Sequence, residues 1–451
     1  MTIIETTPQT LPWHLRGNWA PILNEVTDNA LVVEGSIPPE LDGLYVRTGP
    51  NPKSGTSPHW FFGDGMVHGV RISGGRAEWY RNRYVQTPNV TEPLADAMGG
   101  LGDLARGTGN THVIAHGGKL PALEEAHWPW ALDRELNTIG YENFGGALTC
   151  SMTAHPKVCP ITGELLAFSY FSFEPPYLHY VRISPDGQVR QVEGIDLPNL
   201  VMMHDFNVTQ NHVVFMDLPV VFDLNLIANG LPFRFDRDAG ARLGVMPRNG
   251  TNANVRWFDI NPCYVFHPLN AYEDGDNIVL DVSRMSHVWR DGPMDFPSPM
   301  LWRWTIDTKT GSVAERQIDD HPADFPRVPD SRIGLKHRYG YLMGFDVGMS
   351  LDNAKNQAGT LLKYDQESGA RSSINVGLGR QPGEAVFVPA DGAKNEDDGY
   401  LITYVYDANT ENSECVIYDA ATMSDEPIAA IHLPRVPFGF HGSWVNATVA
   451  D

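Results

Sequence analysis

Four histidines of this chain stand in surroundings that suit a buried metal ligand. The chain has 16 histidines, and these four lie among apolar residues or beside Gly and Pro: His155, His204, His267 and His441. A buried imidazole needs a partner, because an unsatisfied polar ring in a protein core is costly. Neutral imidazole is a good ligand for iron, zinc and copper. For any one of the four taken alone, a hydrogen-bonded core histidine is still the commoner explanation.

The sequence motifs of the common nucleophilic and phosphate-binding enzymes are missing. The chain has no GxSxG, no Walker A sequence, no GxGxxG after a strand and no HExxH. His112 and His116 are four residues apart, but residues 110–115 are predicted to form a strand. We therefore interpret these two histidines as structural.

Short strand-like runs separated by turns dominate the pattern of the chain. Examples are residues 44–48, 164–170 and 277–282, and Pro-Asp-Gly at 185–187 is one of many turn signals. This rhythm predicts a single all-β domain over residues 1–451, and a β-propeller is the closed form that takes up this length most naturally. Residues 87–110 and 218–252 interrupt the rhythm, so we expect them to be loops over one face.

The charge balance argues against nucleic acid as a partner. The chain carries 33 basic and 55 acidic residues, a net charge of −22, which repels phosphate backbones. No CxxC pair occurs among the four cysteines, and neither an export signal nor an apolar run of 18 residues is seen. We therefore expect a cytoplasmic protein with free cysteines.

Ordered motifs along nearly the whole chain carry a family resemblance. They are GLYVRTGPNP at 43–52, HWFFGDGMVHGV at 59–70, YRNRY at 80–84, TAHPK at 153–157, MHDF at 203–206, VFH at 265–267, GEAVFVP at 383–389, DDGY at 397–400 and FGFHG at 438–442. With these motifs the chain resembles the carotenoid cleavage oxygenases, which include apocarotenoid oxygenases, lignostilbene dioxygenases and the visual-cycle isomerase.

The resemblance implies a fold and a metal. The family fold is a seven-bladed propeller with iron on its axis, beneath a dome of loops and short helices. The family's four iron ligands are the histidines of TAHPK, MHDF, VFH and FHG, which fall on His155, His204, His267 and His441. One Fe(2+) per chain is expected, with two coordination positions left open for O2 and water.

Carboxylates around the ligands are implied in the same way. The family uses three glutamates to orient its histidines, and Glu125 and Glu384 match two of those positions. The third is Asp324, which is one methylene shorter, so its direct contact with His267 is expected to be lost or bridged by water. Thr111 resembles a residue that crowds an open metal position in several members.

The expected reaction is cleavage of a conjugated C=C bond by O2 to give two carbonyl products. Stilbene-cleaving relatives have a Lys where this chain has Glu124, which favours an apocarotenoid or another apolar polyene. The apolar neighbours of the motifs are expected to line the substrate tunnel: Phe62, Phe144, Phe206, Leu269 and Phe438.

Three alternatives stay open from the sequence. They are a dioxygenase for stilbenes or phenylpropenes, an isomerohydrolase with the same iron site, and a propeller that only binds a ligand. The oligomeric state, monomer or dimer, is open as well. Within 87–110, four apolar residues either touch a membrane surface or pack under the dome: Leu94, Met98, Leu101 and Leu104.

Overall fold

Antiparallel strands joined by tight turns make up most of the chain. The computed structural model describes residues 11–93, 102–223, 225–226, 231–292, 295–345 and 351–447. Within these ranges the α-helix is a single turn, Pro88–Thr91. The 3-10 helices are Trp13–Leu15, Gly17–Trp19, Trp60–Phe62, Leu104–Arg106, Arg237–Ala239, Asn252–Asn254, Asp330–Arg332 and Leu351–Asn356.

Apart from one hairpin, the described strands fall into seven antiparallel units, two of which share a long strand. They are numbered here as sheets 1 to 7, with strands given in spatial order. Sheet 1 is Val26–Asp28, Arg76–Tyr84, Gly65–Ser73, Gly43–Pro50 and Gly442–Asn446; sheet 2 is His112–Val113, Leu120–Leu123, Trp130–Leu132 and Thr138–Tyr141; sheet 3 is Lys157–Val158, Leu165–Ser169, Leu178–Ile183 and Val189–Ile195. Sheet 4 is Asn207–Val208, His212–Asp217, Arg242–Pro247 and Arg256–Asp259; sheet 5 is Tyr264–Asp274, Asn277–Met285, Met300–Asp307 and the first part of Val313–Arg327. Sheet 6 is the last part of Val313–Arg327 with Tyr339–Gly344, Ala358–Asp365 and Arg371–Leu378; sheet 7 is Val33–Gly35, Ala429–Leu433, Asn412–Asp419 and Gly399–Asp407, on which Arg380–Pro382 and Val386–Pro389 both pair.

One long strand joins sheets 5 and 6. The start of Val313–Arg327 pairs with Met300–Asp307, and its end pairs with Tyr339–Gly344. The two sheets are therefore continuous through this strand. A separate hairpin, Val220–Phe222 with Phe233–Phe235, stands outside the seven sheets.

The two ends of the described chain meet in sheet 1. The last strand, Gly442–Asn446, pairs with Gly43–Pro50 in a register that runs from Gly43↔Asn446 to Arg47↔Gly442. The early strand Val33–Gly35 joins sheet 7, the last sheet along the chain. Both pairings close the series of sheets into a ring.

Side chains between neighbouring sheets form the core. In Gly43–Pro50, Leu44 and Val46 pack in a cluster with residues of sheet 2, whereas Tyr45 packs in a cluster with residues of sheet 7. Alternate residues of a strand point to opposite faces, so one strand serves both interfaces. The all-β class is confirmed, and the seven sheets equal in number the blades of the expected propeller.

The expectation for residues 218–252 was wrong in part. They include the hairpin and also Arg242–Pro247, a regular strand of sheet 4. In 87–110, Leu104 begins a 3-10 helix, while Leu94, Met98 and Leu101 lie outside the described residues. Among the helices of the described ranges, none is long and apolar enough to cross a membrane.

Candidate metal centre

The four histidines come from four different sheets and converge at one point. His155 and His204 lie just before the first strands of sheets 3 and 4, His267 lies in the first strand of sheet 5, and His441 directly precedes the closing strand of sheet 1. All four are buried, and one donor nitrogen from each lies within 4.8 Å of the others. Strands that are distant in sequence therefore build one cluster.

The spacing of these nitrogens fits a single metal ion. The Nε2 atoms of His155 and His204 are 3.0 Å apart, and those of His204 and His267 are 3.2 Å apart. Nitrogens that bind one ion at about 2.1 Å are about 3 Å apart when they occupy adjacent coordination positions. The donor set is able to hold a metal, and imidazole suits a divalent transition metal such as iron.

Three other sheets supply carboxylates that face the outer nitrogens of the histidines. Glu125 follows a strand of sheet 2 and contacts Nδ1 of His204. Glu384, between two short strands of sheet 7, lies 2.9 Å from Nδ1 of His441 and also accepts a hydrogen bond from the amide of Gly442. A carboxylate at Nδ1 fixes the tautomer that leaves Nε2 free as a ligand.

Asp324 makes the same kind of contact directly. Its Oδ1 lies 2.9 Å from Nδ1 of His267, so the expected loss of this contact was wrong. The main chain here departs from regular pairing: the register shifts between Asp324 and Arg327, and Phe325 has a φ of 53°. This distorted stretch of Val313–Arg327 accompanies the close approach of the shorter side chain.

Burial keeps two of the histidines, His155 and His441, neutral and so available as ligands near neutral pH. Burial lowers the pKa of His155 and His441 well below the ordinary value, and the neighbouring histidines add to this effect. Burial also works to lower the pKa of His267, but the Asp324 carboxylate outweighs it and raises that pKa. Neutral imidazoles at two positions and a carboxylate beside the third favour binding of a cation.

A large apolar cavity opens onto this centre. Its volume is about 1530 Å³, and His204, His267 and His441 form part of its wall. Phenylalanines provide much of the remaining lining: Phe61, Phe62, Phe171, Phe173, Phe222, Phe233, Phe266, Phe296, Phe325, Phe345, Phe438 and Phe440. A long apolar molecule would therefore lie with one part beside the histidines.

Comparison with known proteins identifies the family. The family model described as retinal pigment epithelial membrane protein matches residues 19–446. A carotenoid cleavage oxygenase of Mycobacterium tuberculosis is 38% identical, over 96% of this chain and 98% of the relative. A carotenoid 9,10(9',10')-cleavage dioxygenase of Crocus sativus is also 38% identical, over 96% of this chain and 89% of the relative. The chain belongs to the carotenoid cleavage oxygenase family.

Solved structures agree with this assignment. The lignostilbene dioxygenase of Pseudomonas brassicacearum superposes with a TM-score of 0.88 at 31% identity, covering 98% of this chain and all of that one. Cobalt-substituted ACO of Synechocystis superposes with a TM-score of 0.85 at 28% identity, covering 98% and 99%. The oxygenase therefore shares the fold of both proteins along nearly its whole length.

Only part of the expected tunnel lining borders the cavity of this oxygenase. Phe62 and Phe438 do so. Phe206 is fully buried against Phe168, Leu269 packs in the core beside sheet 6, and Phe144 packs against the cluster around Leu148. Phe144, Phe206 and Leu269 therefore do not line the cavity, contrary to the expectation. Proximity to a motif in sequence does not fix the direction of a side chain.

Thr111 and Glu124 both line the cavity of the oxygenase. The Thr111 hydroxyl donates a hydrogen bond to Oδ1 of Asn110 at 2.9 Å. The main-chain carbonyl of Thr111 accepts a hydrogen bond from the amide of His441 at 3.1 Å. Glu124 Oε1 lies 2.5 Å from Nδ1 of His127. Burial works to lower the pKa of His127, but the Glu124 carboxylate outweighs it and raises that pKa.

Sequence reasoning missed Tyr170. Its hydroxyl donates to Glu125 on the oxygen that does not face His204, and its ring lines the cavity. Burial, followed by the Glu125 carboxylate, raises the pKa of Tyr170 well above its ordinary value, so the hydroxyl keeps its proton. Tyr170 stands at the end of a predicted strand, but no spacing in the sequence links it to Glu125.

Proposed function

We propose that this oxygenase is a non-haem iron(II) dioxygenase that cleaves one conjugated C=C bond of an apocarotenoid or a similar apolar polyene. The observation that carries the proposal is the four-histidine cluster in the wall of the apolar cavity. Both atoms of O2 enter the products, one at each carbon of the broken double bond, so two carbonyl compounds form. Iron held by His155, His204, His267 and His441 would supply the activation of O2.

The protein's own task is to hold, orient and shield the alkene. The phenylalanine lining binds an apolar chain without hydrogen-bonding it, and it excludes water from the region beside the histidines. The cavity wall by itself favours an apolar substrate. Glu125, Asp324 and Glu384 keep the imidazoles oriented.

The size of the cavity favours a polyene. Cavities for small ligands usually measure about 300–1,000 Å³, and this one, at about 1530 Å³, exceeds that range. Its lining also carries the Glu124 carboxylate beside His127. A carboxylate would repel a phenolate, although it could accept a hydrogen bond from a neutral hydroxyl group.

A stilbene or phenylpropene substrate is the second candidate. The superposition on the lignostilbene dioxygenase, with a TM-score of 0.88, favours it. Glu124 is the residue that argues against a phenolate-bearing member of this class.

The proposal is tested by incubating iron-loaded protein with an apocarotenal and, separately, with a 4-hydroxystilbene under ¹⁸O₂. We expect two carbonyl products from the apocarotenal, both labelled when they are trapped quickly. We also expect kcat/KM to be at least about tenfold lower for the hydroxystilbene, a difference of about 1.4 kcal/mol in activation free energy. Preference for the stilbene would support the second candidate. Turnover without oxygen uptake would instead indicate an isomerohydrolase, and the proposed dioxygenase activity would be wrong.

A further inference from the structure

One of the four histidines is oriented differently from the others. His204, His267 and His441 face the carboxylates of Glu125, Asp324 and Glu384. For His155 the neighbouring carboxylate is Asp205, whose Oδ2 lies 3.6 Å from Nδ1 of His155. Nε2 of His155 points to the cluster, 3.0 Å from Nε2 of His204, so Nδ1 is the atom that remains to be oriented.

Asp205 is itself firmly held. Its side chain is 3% exposed, and Nζ of Lys157 lies 2.8 Å from Oδ1 and 3.0 Å from Oδ2. The amide of Phe206 donates to Oδ1 at 2.6 Å. A carboxylate buried to this degree needs a nearby cation and hydrogen-bond donors, and the structure supplies both.

The ion pair connects two segments that carry proposed ligands. Lys157 lies two residues after His155, and Asp205 directly follows His204. The pair therefore links the starts of sheets 3 and 4 at the level of the metal centre. Breaking it would free both segments to move relative to each other.

The pair lies on the side of the cluster that is turned away from the apolar cavity. A second cavity of about 100 Å³ is lined by Lys157, Asp205, Arg327 and Glu384, together with His155, His267 and His441. Neither Lys157 nor Asp205 belongs to the wall of the large cavity. Their effect on the metal can therefore be separated from contact with the substrate.

The centre combines several carboxylates with two cations. Four carboxylates stand beside the histidines: Glu125, Asp205, Asp324 and Glu384. Lys157 lies against Asp205, whereas Arg327 lies 3.3 Å from Glu384 Oε2 and also pairs with Asp330. Lys157 therefore offsets the charge of the carboxylate beside His155.

We infer that Asp205, held by Lys157, is a positioning residue for His155. The carboxylate attracts the Nδ1–H of His155 electrostatically across 3.6 Å and so presents Nε2 to the metal. The inference rests on the proposed metal-binding role of the four histidines.

The test compares metal binding by the parent with that of Lys157→Met/Asp205→Asn. The double variant removes both charges together, because removal of only one would leave an unpaired buried ion and endanger folding. Fe(II) affinity is measured by competition with a chelator, and Co(II) bound in place of iron reports ligand geometry through its visible absorption. We expect affinity to fall about tenfold or more, with a shifted Co(II) spectrum. We also expect a lower kcat and an unchanged KM for the alkene.

The matched control is Lys363→Met/Asp397→Asn. This second Lys–Asp pair is also mostly buried, with Nζ and Oδ2 2.6 Å apart. Lys363 lies in a strand of sheet 6 and Asp397 between two strands of sheet 7, and neither lines the two cavities beside the histidines. The control should keep the parent's affinity and spectrum. Unchanged affinity and spectrum in Lys157→Met/Asp205→Asn would overturn the inference while leaving the metal centre intact. A parent that binds neither ion would overturn the proposed function, and this inference with it.

Discussion

At the scale of residues, the sequence identified the histidines but not their individual partners. Composition and local context alone could not separate His155 from a core histidine such as His112, which is buried and hydrogen-bonds Ser443. Motif order, through the family resemblance, predicted which four would meet. The contact between Asp324 and His267 was mispredicted, because the length of a side chain is informative only once the course of the main chain is known.

Asp324→Glu tests whether the packing around this side chain leaves room for one more methylene group. Glutamate is the residue that the family resemblance led us to expect, but here the shorter Asp324 already reaches His267 at 2.9 Å and is 4% exposed. An extra methylene in a close-packed site costs about 1–3 kcal/mol. We expect Asp324→Glu to lower both the free energy of unfolding and the metal affinity.

Urea unfolding of the metal-free protein and chelator competition with Fe(II) measure the two effects of Asp324→Glu. Asp330→Glu is the control, because the Asp330 side chain is 59% exposed and has room for the added methylene. Equal or greater stability and affinity in Asp324→Glu would contradict the expectation.

At the scale of elements, the sequence analysis did not predict one strand that contains a glycine. Arg242–Pro247 lies in a segment that was read as loop, and Gly244 at its centre weakens the strand pattern. In the structure Gly244 faces the ring of Trp257 on the neighbouring strand, where a Cβ would come within 2.6 Å of the ring. Arg242 lies over the same ring at 4.0 Å. This glycine marks close packing rather than a turn.

We expect Gly244→Ala to destabilise sheet 4. The added methyl group must displace the Trp257 ring, which costs about 1–3 kcal/mol in a packed position. Urea unfolding measures the change. Gly244→Ala combined with Trp257→Leu should be less destabilised than the sum of the two single variants, because the smaller side chain leaves room for the methyl group. Additive effects would show that the ring and the glycine do not interact.

The wrong prediction that Leu269 lines the tunnel has a related cause. Leu269 lies two residues after His267, and residues two apart share a face only in a regular strand. The register shifts between Val265 and Pro268 and again between Pro268 and Asn270. Irregular pairing of this kind has no signature in hydrophobic periodicity, so the direction of Leu269 could not be predicted.

At the scale of the whole molecule, the turns and short strands predicted the all-β class and a closed propeller, but not the strand pairing that closes the ring. Strand rhythm gives no partner for the last strand, and the pairing of Gly442–Asn446 with Gly43–Pro50 joins residues at opposite ends of the chain. Likewise, no local pattern indicates that Val313–Arg327 serves two sheets.

Removal of residues 442–451 tests the closure. The truncated chain keeps all four histidines but lacks the strand that fixes His441 against sheet 1. We expect loss of cooperative thermal unfolding and of Fe(II) retention after gel filtration. A chain ending at residue 447 keeps every described strand and serves as the control. Full iron retention by the shorter chain would mean that the last strand does not position His441.

The origin of the ligands from separate sheets also bears on when the metal can enter during synthesis. The ribosome delivers the chain from its amino end, so His155, His204 and His267 emerge long before His441 and the strand that closes the ring. A nascent chain can offer only an incomplete set of imidazoles. All four imidazoles are together only once the closing strand has paired, so we expect metal binding to follow folding of the complete chain.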